Sequence, residues 1–131
     1  MDVKLSAVLA LIIVGFFPAL TMYTWTTRSA GYTEQGAVDL ALHFMKTYPT
    51  FRFDGITDSV RVEKVDTLRM RWTWVVTISF QCLHPGYGDR TGKILLQVVT
   101  NHFIVVTVRE GTVTGAVIDG HWNEIVQREL F

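Results

Sequence analysis

The sequence predicts an α+β fold, and three observations predict it. A charge-free apolar stretch near the amino end has the length of a membrane span. One later segment repeats its apolar residues at helical spacing, and several others alternate with a period of two. The expected order is an N-terminal transmembrane helix over residues 1–28, then an extracytoplasmic domain over 29–131. In that domain one helix packs on a four-stranded antiparallel meander, followed by a short helical tail.

Residues Leu5 to Thr27 carry no charged side chain. As a helix rising 1.5 Å per residue they would extend about 34 Å, enough to cross a hydrocarbon core of about 30 Å with some tilt. Leu9 to Phe17 is apolar all round and lacks the polar stripe of a helix lying on a soluble core. Pro18 is tolerated better in lipid than in water, and Tyr23 and Trp25 fall where amphipathic rings favour the headgroup layer. A cleaved secretory signal is the competing reading, with Lys4 ahead of the apolar core and Ser29-Ala30-Gly31 as small residues for a peptidase. The length of the stretch and its bulky end favour an uncleaved anchor. Lys4 and Arg28 flank the two ends and nearly cancel as topology signals; the very short N-terminal tail favours the domain outside.

Composition sets limits. The residues beyond Arg28 suffice for one domain and are too few for two. The chain holds 12 basic and 12 acidic side chains, so no long-range field points to nucleic acid. Cys82 is the only cysteine, which excludes an internal disulfide and a multi-cysteine metal cluster.

Thr33 is suited to cap a helix, with Glu34 placed favourably against the dipole. Ala37, Leu40, Ala41, Phe44, Met45 and Tyr48 then form one apolar stripe, and Pro49 ends it after about four turns. Phe51 to Ile56 alternates briefly and is expected to turn at Asp54-Gly55. Val60, Val62 and Val65 read as a strand whose slipped rhythm suggests a bulge. Trp72, Trp74, Val76, Ile78, Phe80 and Cys82 point one way along the clearest strand. A glycine-rich loop from His84 to Gly92 leads to Lys93–Thr100, read as strand, and another strand runs from His102 to Arg109. Glu110-Gly111 turns the chain back along Thr112 to Ile118. Trp122, Ile125, Val126 and Leu130 are spaced for the terminal helix. One helix on one face of such a sheet is a two-layer module like cystatin-like or peptidase-propeptide-like domains, a likeness of element order alone.

The chemistry-bearing residues concentrate in the His84–Gly92 loop. Its glycines permit unusual backbone angles, and its N–H groups are of a kind that cradles anions. Asp54, His84, Tyr87, Asp89 and Arg90 are the candidate binding residues. The loop lacks the glycine-to-lysine spacing of a phosphate loop. The plainer reading is a long connection in which Asp89 and Arg90 pair locally or with Asp54. His43, His84, His102 and His121 raise a metal hypothesis, but none stands at His-x-x-x-His spacing, and surface histidines account for them. Cys82 sits on the apolar face of its strand, a small core residue rather than a nucleophile. No serine lies in a Gly-x-Ser-x-Gly elbow. Arg61, Lys64, Arg69 and Arg71 beside Trp72 and Trp74 suggest a polyanion or headgroup patch, but Glu63 and Asp66 cut its excess to two positive charges, so a solvated strand edge is the plainer reading.

Tyr48-Pro49-Thr50-Phe51, Phe53-Asp54-Gly55-Ile56, His84 to Gly92 and Ala116 to Glu124 together resemble a group of small, uncharacterised archaeal proteins with one apolar N-terminal segment and an outer α+β domain. That resemblance implies an archaeal membrane with the domain outward, and no catalytic role. The expected function is a membrane-anchored, non-enzymatic binding or accessory domain. It would be a small subunit of a larger membrane complex, with the bilayer and a protein as partners, and without cofactor or catalytic residue. The first alternative is a small metal-dependent or hydrolytic enzyme using His84, Asp89 and His102 or His121. The second is a peptidase-inhibitor-like module.

Overall fold

The computed structural model describes residues 32–131, so the expected membrane span at Leu5–Thr27 lies outside the described residues. Among the described residues, no helix is long and apolar enough to cross a membrane.

Helix α1 (Glu34–Thr47) forms where its period and cap place it. Thr33 is extended and its Oγ1 accepts from Gly36 N–H at 3.0 Å, with Glu34 in the first turn and Lys46 in the last. Ala37, Ala41, Phe44 and Met45 of the stripe are buried, and Leu40 and Tyr48 are half-buried at its margins. Tyr48 takes the extended conformation that a following proline demands, and its N–H still bonds Phe44 O at 3.1 Å.

The chain then departs from expectation. Instead of alternating, Pro49–Asp54 forms a second short helix, α2. Proline at the first helical position needs no amide donor and arrives with the required φ, so Pro49 both stops α1 and starts α2. Phe51 is buried against Phe80, ring edge to face at 5.6 Å. Gly55 is not a turn but the first residue of the next strand, paired with Cys82. A Cβ there would sit 2.2 Å from the Phe51 ring, so only glycine admits this approach.

Strands β1 (Gly55–Thr67), β2 (Thr73–Cys82), β3 (Thr100–Arg109) and β4 (Thr112–Ile118) form the expected antiparallel meander. β1 carries two register shifts, between Ile56 and Arg61 and between Val62 and Lys64, where the rhythm of the sequence slips. β2 buries Trp74, Val76, Ile78, Phe80 and Cys82. Trp72 is not in that row: it lies in the β1–β2 turn at φ 54° and is exposed, with the Arg71 guanidinium over its ring and Tyr32 edge-on. Glu110 and Gly111 both have positive φ, the turn whose twist matches a hairpin.

Two further corrections concern the sheet. It has six strands rather than four, because β5 (Trp122–Asn123) and β6 (Arg128–Glu129) continue it in the order β1-β2-β3-β4-β5-β6. The terminal helix is therefore absent. Asp119 and Gly120 form a second positive-φ turn that sends Trp122 back onto Ile118, and Val126 and Leu130 are exposed rather than sharing a buried face. Lys93–Val99 belongs to no strand; pairing of β3 with β2 begins only at Thr100, opposite Cys82.

The core lies between α1, α2 and one face of the sheet, centred on Val76, Ile78, Phe80, Ile104, Val106, Val108, Ala116 and Ile118. The other face, with Val75, Thr77, Ser79, Phe103, Val105, Thr107 and Val117, is uncovered by any described element.

Candidate functional site

The residues singled out by sequence converge in part, and they do so inward. Asp54, at the end of α2, lies beside the loop that leaves β2. Its Oδ2 accepts from His84 N–H at 2.8 Å and stands 2.9 Å from His84 Nδ1. Its Oδ1 pairs with Arg90 Nη2, and the Arg90 side chain is only 2% exposed. The guanidinium also donates to Gly86 O and to Thr50 O, and it stacks over the Phe53 ring at 4.8 Å. One carboxylate and one guanidinium thus tie helix α2 to both ends of the loop. Charge-assisted bonds of this kind are strong because water is excluded. The plainer reading, with Arg90 on Asp54, is the observed one. Arg90 Nε is buried without a partner among the described residues.

A second buried carboxylate sits next to the first. Glu124 is 1% exposed and lies between β5 and β6. Its Oε1 accepts from Thr50 N–H at 2.9 Å, satisfying an α2 donor that the helix cannot, and its Oε2 accepts from Thr50 Oγ1 at 2.6 Å and Trp122 Nε1 at 2.9 Å. Thr50 Oγ1 in turn accepts from Gly88 N–H at 2.8 Å. Gly88 has φ +71°, and a Cβ there would press on Trp122 and Gln127. Sequence reasoning missed Thr50, Glu124 and Trp122. Little in the sequence signals them, since Glu124 stands among polar neighbours such as Asn123, Gln127, Arg128 and Glu129, and nothing local marks it as the acid that is buried and paired.

Tyr87 leaves this network and joins a third carboxylate. Its hydroxyl donates to Asp119 Oδ2 at 2.9 Å, and His102 Nδ1 lies 2.7 Å from the same oxygen. Asp119 Oδ1 accepts from Phe103 N–H at 2.8 Å, holding the first half of β3. The Tyr87 ring stacks on Trp122 with centroids 5.6 Å apart and 9° between planes. Partial burial first, and the bond to Asp119 second, push the Tyr87 phenol up to about 12. His102 is 2% exposed, so one of the four histidines belongs to the interior rather than the surface. Its Nε2 is buried without a partner among the described residues.

Asp89 goes elsewhere. It is exposed and accepts from Thr91 N–H at 3.0 Å and from the Thr91 hydroxyl, a local turn that lowers its carboxyl below the usual range. His121 lies 3.6 Å from Glu129 at the surface. The set His84, Asp89 and His102 or His121 is therefore divided among separate partners. Among the described residues, no group of three histidine, cysteine or acidic side chains could hold a metal ion. Cys82 is fully buried with Sγ 3.7 Å from Thr50 O. Desolvation first, and the nearby Asp54 charge second, push its thiol up to about 12, the condition of a core thiol rather than a nucleophile. The basic patch is cut locally by a Lys64–Asp66 pair at 3.0 Å.

The open face of the sheet carries a shallow groove of about 370 Å³ along β1, β2 and the start of β3. Its polar lining is bonded to itself: Ser79 Oγ to Glu63 at 2.6 Å, Gln81 Nε2 to Asn101 at 2.7 Å, and Gln81 N–H to Ser59 Oγ at 2.8 Å. Beyond the groove the face is neutral. β2 contains no charged residue, and none occurs from Ile94 to Val108. Phe103 and Val105 stand 52% and 40% exposed on it. Arg61, Glu63, Lys64 and Asp66 on β1 supply charge at one margin. What the arrangement offers is a flat, neutral, partly apolar surface on a stiffly braced sheet.

Comparison of the sequence and structure with protein-family models, curated proteins and solved structures gives no match.

Proposed function

We propose that the chain is a membrane-anchored, non-enzymatic accessory domain that binds a protein subunit through the open face of its sheet. The observation that carries this reading is the disposition of its polar chemistry. Asp54, Glu124 and Asp119 are each committed to partners inside the fold, which leaves a neutral face with Phe103 and Val105 at its centre. Apolar centre and charged margin is the anatomy of an interface core and rim, and Arg61, Glu63, Lys64 and Asp66 supply that margin here. The occupant it fits is a protein presenting a similarly flat, neutral surface; a nucleic acid would require a basic field that the balanced charge does not make. The anchor and the outward orientation rest on Leu5–Thr27 and on the sequence resemblance.

The His84–Gly92 loop supports the surface from behind in this reading, and the contact moves from Arg90 to β3. Purification of the full chain in mild detergent should co-isolate one stoichiometric partner. Val105→Asp should abolish that recovery while leaving the unfolding midpoint in place. A chain recovered without a partner, or a variant that keeps it, would overturn the proposal.

A further inference from the structure

Lys93–Val99 differs from every other described segment in what it leaves exposed. It follows the braced loop at Arg90 and leads directly into β3, yet it belongs to no helix or strand. Ile94, Leu96, Val98 and Val99 are 104%, 70%, 55% and 53% exposed. Among the described residues, the only hydrogen bonds touching the segment are Lys93 N–H to Arg90 O at 3.1 Å and the Thr100 hydroxyl to Val98 O at 2.9 Å. The composition, aliphatic and β-branched without charge, proline or glycine from Ile94 to Val99, is that of a strand seeking a partner.

We propose that this segment is a self-pairing arm: two copies of the chain join antiparallel through Lys93–Val99, with the two-fold axis at Leu96. The register follows from the sequence. An isologous contact requires that if residue i meets j, then j meets i. Centred on Leu96, antiparallel pairing sets Ile94 against Val98, Leu96 against Leu96 and Val98 against Ile94. All six side chains lie on one face, because alternate residues share a face and directly opposed residues do too. Leu95 then meets Gln97 on the other face. The two Lys93 residues end about 20 Å apart at about 3.4 Å per residue, beyond the screening length of physiological salt, so charge does not oppose the pairing.

The unpaired backbone of the arm favours a strand over a lipid surface. Lipid would cover the side chains but leave the N–H and C=O groups of Ile94–Val99 without partners, which is costly in a water-free medium. A second arm bonds the N–H and C=O groups along the edge it meets and sets aliphatic side chains beside aliphatic side chains. Leu95 is already half-buried, so the chains that a partner strand would flank are Ile94, Leu96, Val98 and Val99 of each copy. The arm is separate from the open face assigned above, and the inference does not rest on that assignment.

The test uses the full chain in mild detergent. Leu96→Cys should form an intermolecular disulfide rapidly, because opposed residues in an antiparallel pair lie about 4.5–5.5 Å apart, inside the disulfide range. Cys82 is fully buried and does not compete. Ile94→Cys alone should not cross-link, whereas a mixture of Ile94→Cys and Val98→Cys should. Leu96→Lys places two ammonium groups on the axis and should weaken self-association by about a hundredfold or more. A wild-type chain that stays monomeric at tens of micromolar would overturn the proposal. So would equal cross-linking at positions 94 and 96, or burial of the arm in vesicles by a monomer.

Discussion

Two adjoining segments of this chain show opposite economies. From His84 to Arg90 the polar groups, Asp89 apart, are turned inward: Arg90 reaches Asp54, Gly86 O and Thr50 O, and Gly88 N–H reaches Thr50. From Lys93 to Val99 the apolar groups, the half-buried Leu95 apart, are turned outward, with Ile94 as exposed as in an isolated peptide. Both reverse the ordinary rule that polar groups face water and apolar ones avoid it. The reversal has different consequences. A buried charge is stable only while each partner remains, so the loop is specified by its contacts and fails if one is removed. An exposed apolar run has no contacts to lose, so its cost or use depends on what the chain meets in solution. The first region supports the fold; the second is available for association.

The sharpest way to break this contrast is to remove one partner of the buried pair. Asp54→Ala leaves the guanidinium of Arg90, 2% exposed, with backbone carbonyls alone, and it orphans His84 N–H. A loss of about 3–5 kcal/mol in denaturant unfolding is expected. Asp89→Ala, in the same chemistry-bearing set but exposed and bonded only to Thr91, should leave the midpoint unchanged. Equal effects would mean that Arg90 is not held as described.

Gly88→Ala tests the same region through backbone shape. The residue sits at φ +71°, and the added methyl would approach Gln127 Oε1 to 3.0 Å and Trp122 Cζ2 to 3.3 Å. A loss of about 1–2 kcal/mol is expected from the left-handed conformation alone. Gly92→Ala is a useful companion: it shares the positive φ, at +77°, but has nothing within 4 Å of the added methyl. The difference between the two reports how tightly the loop is packed on Trp122.

How far the sequence discloses this molecule depends on the range of the interaction. α1 was legible because its cap, its period and Pro49 are all local. β2 was legible because ten residues alternate without interruption. α2 was not, because Phe51 and Phe53 alternate as a strand would, and only Thr50 bonding to Glu124, 74 residues away, and the Phe51–Phe80 contact show why it coils. The β5–β6 hairpin was hidden for a related reason: Trp122 and Ile125 have helical spacing, while Asp119-Gly120 is a turn that sends the chain back onto β4. Lys93–Val99 has every local mark of a strand and lacks only a neighbour. At the site, residue type sufficed to pick out Asp54, His84 and Arg90. It did not separate Tyr87, which belongs with Asp119 and His102, or Asp89, which belongs to none of the clusters.

The Tyr87 cluster gives a smaller and more conditional effect. The folded phenol titrates at about 12, above its ordinary value near 10. The protonated form is the one favoured by folding, so this contribution is present in full below pH 10 and is lost as pH rises from 10 toward 12. Partial exposure of Tyr87 keeps the stability at stake modest. Absorbance titration should show one tyrosine ionising late, and Asp119→Asn should bring it back toward 10. An unshifted titration in the variant would assign the effect to burial alone.

The smallest expected effect completes the comparison from the other side. Deleting most of an isoleucine from a core costs about 2–5 kcal/mol, through lost burial and the cavity left behind. Ile94→Ala removes the same atoms where the side chain is 104% exposed, so no burial is lost and no cavity forms. The unfolding free energy of the monomeric chain should change by less than about 0.5 kcal/mol. The measurement must be made at concentrations where self-association is negligible, and repeated where it is not. If the arm pairs, the wild type gains stability with concentration by mass action and the variant gains less, so the two curves separate only at the higher concentration. A large loss in the dilute monomer would mean that Ile94 is packed within its own chain, and the distinction between a braced loop and an unspent arm would fail.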